Sequence, residues 1–102
     1  IREAPIDGIE ILMRESYPVQ YALQITSGLP NGCTEFDDLE WARSGNVIKV
    51  AVLNRVNDGG GTLACTEIYG LVESVVDLGT DFVSGETYTI FVNGVEETFV
   101  AQ

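Results

Sequence analysis

The chain has no histidine among its 102 residues, and only one of them, Lys49, is a lysine. Serine and cysteine nucleophiles usually take their base from a histidine, and a serine–lysine pair would have to use Lys49, which lies within a predicted strand. The sixteen acidic residues give carboxylate pairs by chance alone, and so short a chain leaves little room for a substrate cleft. We therefore expect a protein that is not an enzyme and that carries no cofactor.

Basic residues are also scarce: there are five of them, and the formal net charge is -11. A surface of this sign repels phosphate backbones and anionic lipid headgroups. No apolar run approaches the roughly 20 residues that a transmembrane helix needs. We expect no nucleic-acid partner, no direct membrane insertion, and a monomer when the domain is isolated.

Cysteine occurs only twice, in two similar segments, Gly32-Cys33-Thr34-Glu35 and Ala64-Cys65-Thr66-Glu67. Two cysteines without histidine are too few ligands for a structural zinc site. A disulfide between Cys33 and Cys65 would close a loop of roughly 33 residues and stabilise a small domain by about 3.5 to 4 kcal/mol. The alternative is two free, buried thiols.

A disulfide predicts an oxidising compartment, because cytosolic thiols are kept reduced. The chain begins at Ile1, so we expect a processed or trimmed protein whose signal peptide or lipid anchor would lie upstream. The expected location is extracytoplasmic, either secreted or at the cell surface. One form of surface attachment would be a lipid anchor in a segment outside this chain.

Hydrophobic residues alternate with polar ones over most of the chain, as in half-buried strands. The pattern predicts one domain, 1–102, an all-β antiparallel sandwich of immunoglobulin-like type with about seven strands. The predicted strands are Ile9–Met13, Val19–Ile25, Leu39–Arg43, Val47–Leu53, Ile68–Leu78 (one strand or two), Glu86–Val92 and Val95–Ala101. Turns are predicted between them, at Ser27-Gly28, at Ser44-Gly45-Asn46 and above all at Asn93-Gly94, a pair typical of a type I′ hairpin.

The segment that contains Leu78, Gly85, Tyr88 and Asn93-Gly94 resembles the penultimate strand region of immunoglobulin-like and fibronectin-like sandwiches. The resemblance implies that the Tyr88 hydroxyl bonds to backbone near the preceding corner. Residues 19 to 101 as a whole resemble small domains of secreted bacterial proteins, often lipoproteins, of uncharacterised function. The cysteines depart from the antibody pattern, since both fall in predicted loops.

The predicted recognition loops are residues 27–38 and 57–67, which the disulfide would hold together. Their candidate binding residues are Asn31, Phe36, Asp58, Gly59, Gly60 and Gly61. Loops on a rigid scaffold are common sites of recognition. The sequence therefore favours a non-catalytic accessory or protein-interaction module that binds a protein or cell-surface ligand.

Two other functions remain open at this point. Glu35, Asp37, Asp38 and Asp58 could supply oxygen ligands to calcium in an adhesion-type domain, although no EF-hand spacing is present. Gly59-Gly60-Gly61-Thr62 distantly resembles the middle loop of small immunoglobulin-like peptidase inhibitors, although the Asn-Pro-Thr-Thr-Gly motif of that family is absent. A phosphate cradle at these glycines is disfavoured, since no lysine follows them.

Aromatic side chains are the remaining candidates, because they often anchor binding surfaces. Tyr17, Phe36, Trp41 and Tyr69 fall in or near predicted loops and short strands. For Trp41 we expect a core position, since a small sandwich needs one bulky filler.

Overall fold

The computed structural model describes residues 1–15, 18–57, 59, 61 and 64–102. Within these ranges the chain forms eight strands and no helix. The strands are β1 (Arg2–Glu3), β2 (Ile6–Arg14), β3 (Gln20–Leu29), β4 (Thr34–Ser44), β5 (Val47–Val56), β6 (Gly70–Gly79), β7 (Thr87–Val92) and β8 (Val95–Val100). The predicted all-β fold is confirmed, and the uncertain segment 68–78 forms one strand. In the described ranges no helix is long and apolar enough to cross a membrane.

The two sheets have different numbers of strands. One contains β2, β3 and β6 in that order, all antiparallel; the other joins β4, β5, β7 and β8, with β1 also paired to β5. Most pairs are antiparallel as expected, but β5 and β7 run parallel, from Val47 opposite Thr89 to Val50 opposite Val92. A parallel pair needs a long connection, and residues 57–86, which include β6 in the other sheet, provide it.

One edge of β5 is shared by two strands that lie end to end. β7 pairs with residues 47–50, and β1 pairs with Asn54 and Leu53 farther along. The Asn93 side chain lies between them: its Nδ2 donates to the carbonyls of Ala4 (2.7 Å) and Val52 (2.9 Å), and its Oδ1 accepts from the Val52 N–H (2.9 Å). The Asn93 side chain thus makes, with Val52, the hydrogen bonds that the backbone of a neighbouring strand would otherwise make.

The predicted hairpin at Asn93-Gly94 is confirmed. Asn93 has φ 48° and Gly94 has φ 83°, and β7 pairs with β8 on either side. Positive φ at both central residues is the requirement of a type I′ turn, and asparagine and glycine meet it at the lowest cost.

The core lies between the sheets and is formed by the inward residues of β3, β5, β6 and β7. Leu23, Ile25, Ile48, Val52, Ile90 and Val92 are fully buried. β5 and β7 contribute alternate residues to it, so burial along both strands has a period of two.

Aromatic rings fill the end of the core where β5 and β7 begin. The rings of Tyr21, Phe82, Tyr88 and Phe99 contact one another, with centroids 4.8 to 5.7 Å apart. The guanidinium of Arg43 lies 4.5 Å from the Phe82 ring. The Tyr88 hydroxyl accepts a hydrogen bond from the Val83 N–H at 2.8 Å, the backbone contact that the resemblance implied.

One predicted turn and one predicted loop boundary near the candidate site are wrong. Ser27-Gly28 is not a turn: both residues continue β3 and pair with Val72 and Leu71 of β6. β4 begins at Thr34, so the first predicted recognition loop, 27–38, shortens to 30–33 between strands.

Trp41 is not a core residue. It lies on β4, which among the described strands pairs with β5 alone, and 41% of its surface is exposed. Its partner in register, Val50, is buried on the central strand. The position at the sheet edge, rather than the size of the side chain, decides its exposure, and the aromatic cluster around Tyr88 supplies the bulky filler instead.

Candidate functional site at the disulfide-linked end

The end of the sandwich opposite the aromatic cluster carries the connections β3–β4 and β5–β6. A disulfide joins Cys33 of the first to Cys65 of the second, with Cα atoms 5.4 Å apart, so the predicted pairing is confirmed. Two backbone hydrogen bonds flank it: Gly32 N–H donates to Thr66 O at 2.9 Å, and Asn57 N–H donates to Cys33 O at 2.8 Å. We call this region the disulfide end, defined by residues 30–36 and 57–69.

The Asn31 side chain stabilises the β3–β4 connection, the shorter of the two, by local hydrogen bonds. Its Oδ1 accepts from the Cys33 N–H at 3.0 Å and from the Thr34 hydroxyl at 2.8 Å, a local turn that asparagine side chains favour. The predicted binding residue therefore uses its side-chain oxygen to hold Cys33 in place. Beside it, Gly32 approaches Thr66 so closely that a side chain at position 32 would collide with the Thr66 hydroxyl.

The carboxylates proposed for calcium are engaged otherwise. Glu35 forms an ion pair with Arg55 at 3.0 Å, and Asp37 lies 3.8 Å from the same guanidinium. Asp38 accepts from the Leu39 N–H at 2.8 Å. Across the described ranges no three potential metal-binding side chains converge, and Asp58, the fourth candidate, lies outside those ranges.

The glycine-rich connection is described only in part. Gly59 and Gly61 have φ 65° and 91°, values that favour glycine, whereas Gly60 and Thr62 are outside the described residues, as is Tyr17. Apolar side chains are exposed close by. Phe36 is 38% exposed on β4, and Ile68, just before β6, is 73% exposed.

A buried amide ties the two sheets together beneath this end. Asn54 of β5 is 2% exposed, and its Nδ2 donates to Gly28 O of β3 at 2.8 Å. The Asn54 Oδ1 and the neighbouring Ser27 Oγ are buried without a hydrogen-bond partner in the described residues. A small cavity of ≈ 80 Å³ adjoins Asn54, between Pro5 and Pro30.

Tyr69 links the disulfide end to the outer face of the three-stranded sheet. Its ring crosses β3 at Gly28, where it occupies the space that a side chain would need, and its hydroxyl donates to Asp7 Oδ2 of β2 at 2.7 Å. The sequence singled out Tyr69 as an aromatic candidate, but nothing in it indicated Asp7 or Gly28 as partners. Only the register of β2, β3 and β6 brings these three residues together.

The hydrogen bond to the Asp7 carboxylate, with its negative charge, raises the pKa of the Tyr69 phenol above 10.0. We expect Asp7→Asn to lower that pKa toward 10.0, followed by the ¹³Cζ resonance of Tyr69 as pH rises. Because the raised value belongs to the folded state, the bond stabilises the fold below about pH 10 and ceases to do so as pH rises through the folded-state pKa. Asp81→Asn is the control, and an unchanged Tyr69 titration in Asp7→Asn would contradict the assignment.

The chain is similar to a curated protein and to a family of β-sandwich domains. The chain is 31% identical over 93 residues to an "Uncharacterized 10.2 kDa protein in HgiCIIM 5'region" of Herpetosiphon aurantiacus, covering 90% of this chain and 94% of that protein. No solved structure matches significantly. The family model of the ORF11 beta-sandwich domain matches residues 23–101, which run from within β3 to the residue after β8. The chain therefore belongs to the ORF11 beta-sandwich domain family.

Proposed function

We propose that this domain is a non-catalytic binding module that recognises a protein or cell-surface ligand through the disulfide end. The observation that carries the proposal is the triple connection of the two loops by the Cys33–Cys65 bond and the backbone bonds of Gly32 and Asn57. Loop residues that are already fixed to one another lose less conformational entropy when a partner binds, which raises affinity without any added contact.

Exposed apolar side chains beside these connections supply contact area. Ile68 and Phe36 are not needed for the core, since both are well exposed, yet each lies within a few residues of the disulfide or its flanking bonds. Exposed apolar groups on an ordered, polar surface are typical of protein-binding sites.

The proposed setting is an extracytoplasmic protein, secreted or held at the cell surface. A disulfide persists in oxidising compartments, and the Cys33–Cys65 bond supports such a location. The Tyr88–Val83 hydrogen bond supports kinship with immunoglobulin-like sandwiches. The proposal of a non-enzyme rests on the lack of histidine and on the position of Lys49, exposed in the middle of β5.

Selection of peptides tests the proposal. The oxidised domain would be presented to a phage library of random 12-residue peptides, and enriched peptides would be measured by fluorescence anisotropy. We expect Ile68→Ser and Phe36→Ser to weaken binding at least tenfold, because each removes apolar contact area at the disulfide end. Val83→Ser is the matched control, since Val83 is 61% exposed but lies next to the aromatic cluster at the other end.

Reduction of the disulfide should weaken the same peptides without abolishing the fold under stabilising conditions. Two results would count against the proposal: enriched peptides that bind the Ile68→Ser and wild-type domains equally well, or a selection that enriches no peptide. Circular dichroism of each variant separates loss of binding from loss of structure.

A further inference from the structure

The outer face of the three-stranded sheet contains a groove with Gly8 on its floor. Directly opposite residues of antiparallel strands share a face, so the row Gly8–Thr26–Glu73 and the row Glu10–Gln24 lie side by side on this surface. Because Gly8 has no side chain, a depression of ≈ 250 Å³ opens there. We call it the Gly8 groove; its lining residues are Gly8, Ile9, Glu10, Gln24, Thr26 and Glu73.

Two carboxylates of this groove have no counter-charge. Glu10 on β2 and Glu73 on β6 are exposed, and neither carboxylate has a hydrogen bond or ion pair with any described residue. Their strands lie on either side of β3, about 10 Å apart. Asp77 on the same face differs: bonds from Gln20 and from the Gly79 N–H, with Arg14 nearby, lower its pKa.

The neutral residues between the two carboxylates add hydrogen-bond acceptors. Gln24 and Thr26 of β3 lie in the centre of the groove, and their side-chain oxygens can accept. A guanidinium group presents five donors in one plane and pairs well with carboxylates. It therefore matches this set of acceptors better than a neutral or an anionic group does.

Exposed apolar side chains border the groove on β6. Leu71 and Val75 are each 63% exposed, and Val75 is opposite Gln24 in register. Tyr69, hydrogen-bonded to Asp7 beside Gly8, adds an aromatic ring at one end. A binding partner can therefore bury apolar area next to its charged contact.

The strands of this sheet carry a net negative charge, and their one basic residue, Arg14, lies near Asp77 rather than in the groove. Four of the five basic residues, Arg2, Arg43, Lys49 and Arg55, belong to strands of the five-stranded sheet. The three-stranded sheet has Arg14 alone, against four carboxylates. A cationic partner would meet the carboxylates of Glu10 and Glu73, which have no cation in the groove.

We infer that the outer face of the three-stranded sheet binds a cationic segment of a partner protein, with an arginine side chain in the Gly8 groove between Glu10 and Glu73. Apolar side chains of the same segment pack on Leu71 and Val75. Charge complementarity selects this occupant: the groove offers acceptors and no cation, in a protein of net charge -11. This surface adjoins the disulfide end at Tyr69, but its contacts at Glu10 and Glu73 do not depend on the loop contacts proposed above.

A defined peptide probes the inference. The peptide would be acetyl-(Arg-Val)₄-amide, titrated into ¹⁵N-labelled protein, with a second peptide in which citrulline replaces every arginine. We expect the largest amide shifts at Gly8, Thr26 and Glu73, and at least tenfold weaker binding of the citrulline peptide. Glu10→Gln combined with Glu73→Gln should weaken the arginine peptide at least tenfold.

Two further variants separate the groove from the overall charge of the protein. Glu96→Gln with Glu97→Gln removes the same number of charges from β8 and should change affinity less than twofold. Gly8→Val fills the groove; an added Cβ at position 8 meets Thr26 only at ordinary contact distance, 3.8 Å, so the fold should tolerate it while peptide binding is lost.

Several outcomes would overturn the inference. They are equal weakening by the β8 variant, shifts centred on another surface, equal binding of the citrulline peptide, or no binding at all. Stronger binding of a neutral oligosaccharide, for which maltohexaose is the probe, at the same residues would also overturn the assignment of a cationic partner. If Gly8→Val does not fold, the Glu10 and Glu73 double variant still decides.

Discussion

Removal of the Cys33–Cys65 disulfide is expected to lower the free energy of unfolding by about 3.7 kcal/mol. The two cysteines are 32 residues apart in sequence, and the bond restricts the unfolded chain by closing that loop. A loss of this size is a large share of the 5 to 15 kcal/mol, roughly, that stabilises a typical domain. The measurement is urea denaturation of Cys33→Ala/Cys65→Ala against the oxidised wild type.

Loss of the disulfide should leave the other native contacts at the disulfide end in place. Gly32–Thr66 and Asn57–Cys33 backbone bonds remain available to the double variant, so its folded state should keep the same sheets. Wild type treated with reductant is the control and should match the variant. A loss below about 1 kcal/mol would mean that the unfolded chain retains structure that already holds the loop ends together.

Substitution of Asn93 by alanine is expected to cost about 3 to 4 kcal/mol, as much as loss of the disulfide. About 3 kcal/mol comes from the three side-chain hydrogen bonds to Ala4 and Val52, and about 1 kcal/mol from placing alanine at φ 48°. Urea denaturation measures the total, and amide hydrogen exchange at Val52 measures the local effect, which should be faster in the variant.

Asn93→Gly separates the two causes, because glycine accepts the positive φ but makes none of the side-chain bonds. We expect it to recover about 1 kcal/mol relative to alanine and to leave Val52 exchange fast. A glycine variant as stable as the wild type would show that Asn93 serves only the turn, and that β1 does not need its side chain.

Local patterns predicted the strands well, because burial on one face of a sheet imposes a period of two wherever it occurs. Val19–Ile25 was predicted on this ground and lies almost wholly in β3, whereas Val47–Leu53 was predicted from its apolar residues on both faces, as in a central strand, and lies in β5. Ser27-Gly28 was misplaced because small polar residues are typical of turns, whereas here Gly28 remains in β3 and gives room to the Tyr69 ring. Two candidate residues also have roles within the fold that local pattern did not indicate: Asn31 bonds to the Cys33 N–H, and Glu35 pairs with Arg55.

The sequence by itself determined the alternation within the strands and the Asn93-Gly94 turn, since both depend on residues close together in the chain. It also indicated the disulfide, since the composition includes two cysteines. The tertiary structure decided what depends on strand order and register. It placed Trp41 on an edge strand, set β7 parallel to β5, and put Asn93 between β1 and β7. It also brought Glu10 and Glu73, 63 residues apart in the sequence, to one groove. β2 and β6 both pair with β3, and the registers of these two pairings, which the sequence alone does not give, decide which of their residues lie side by side.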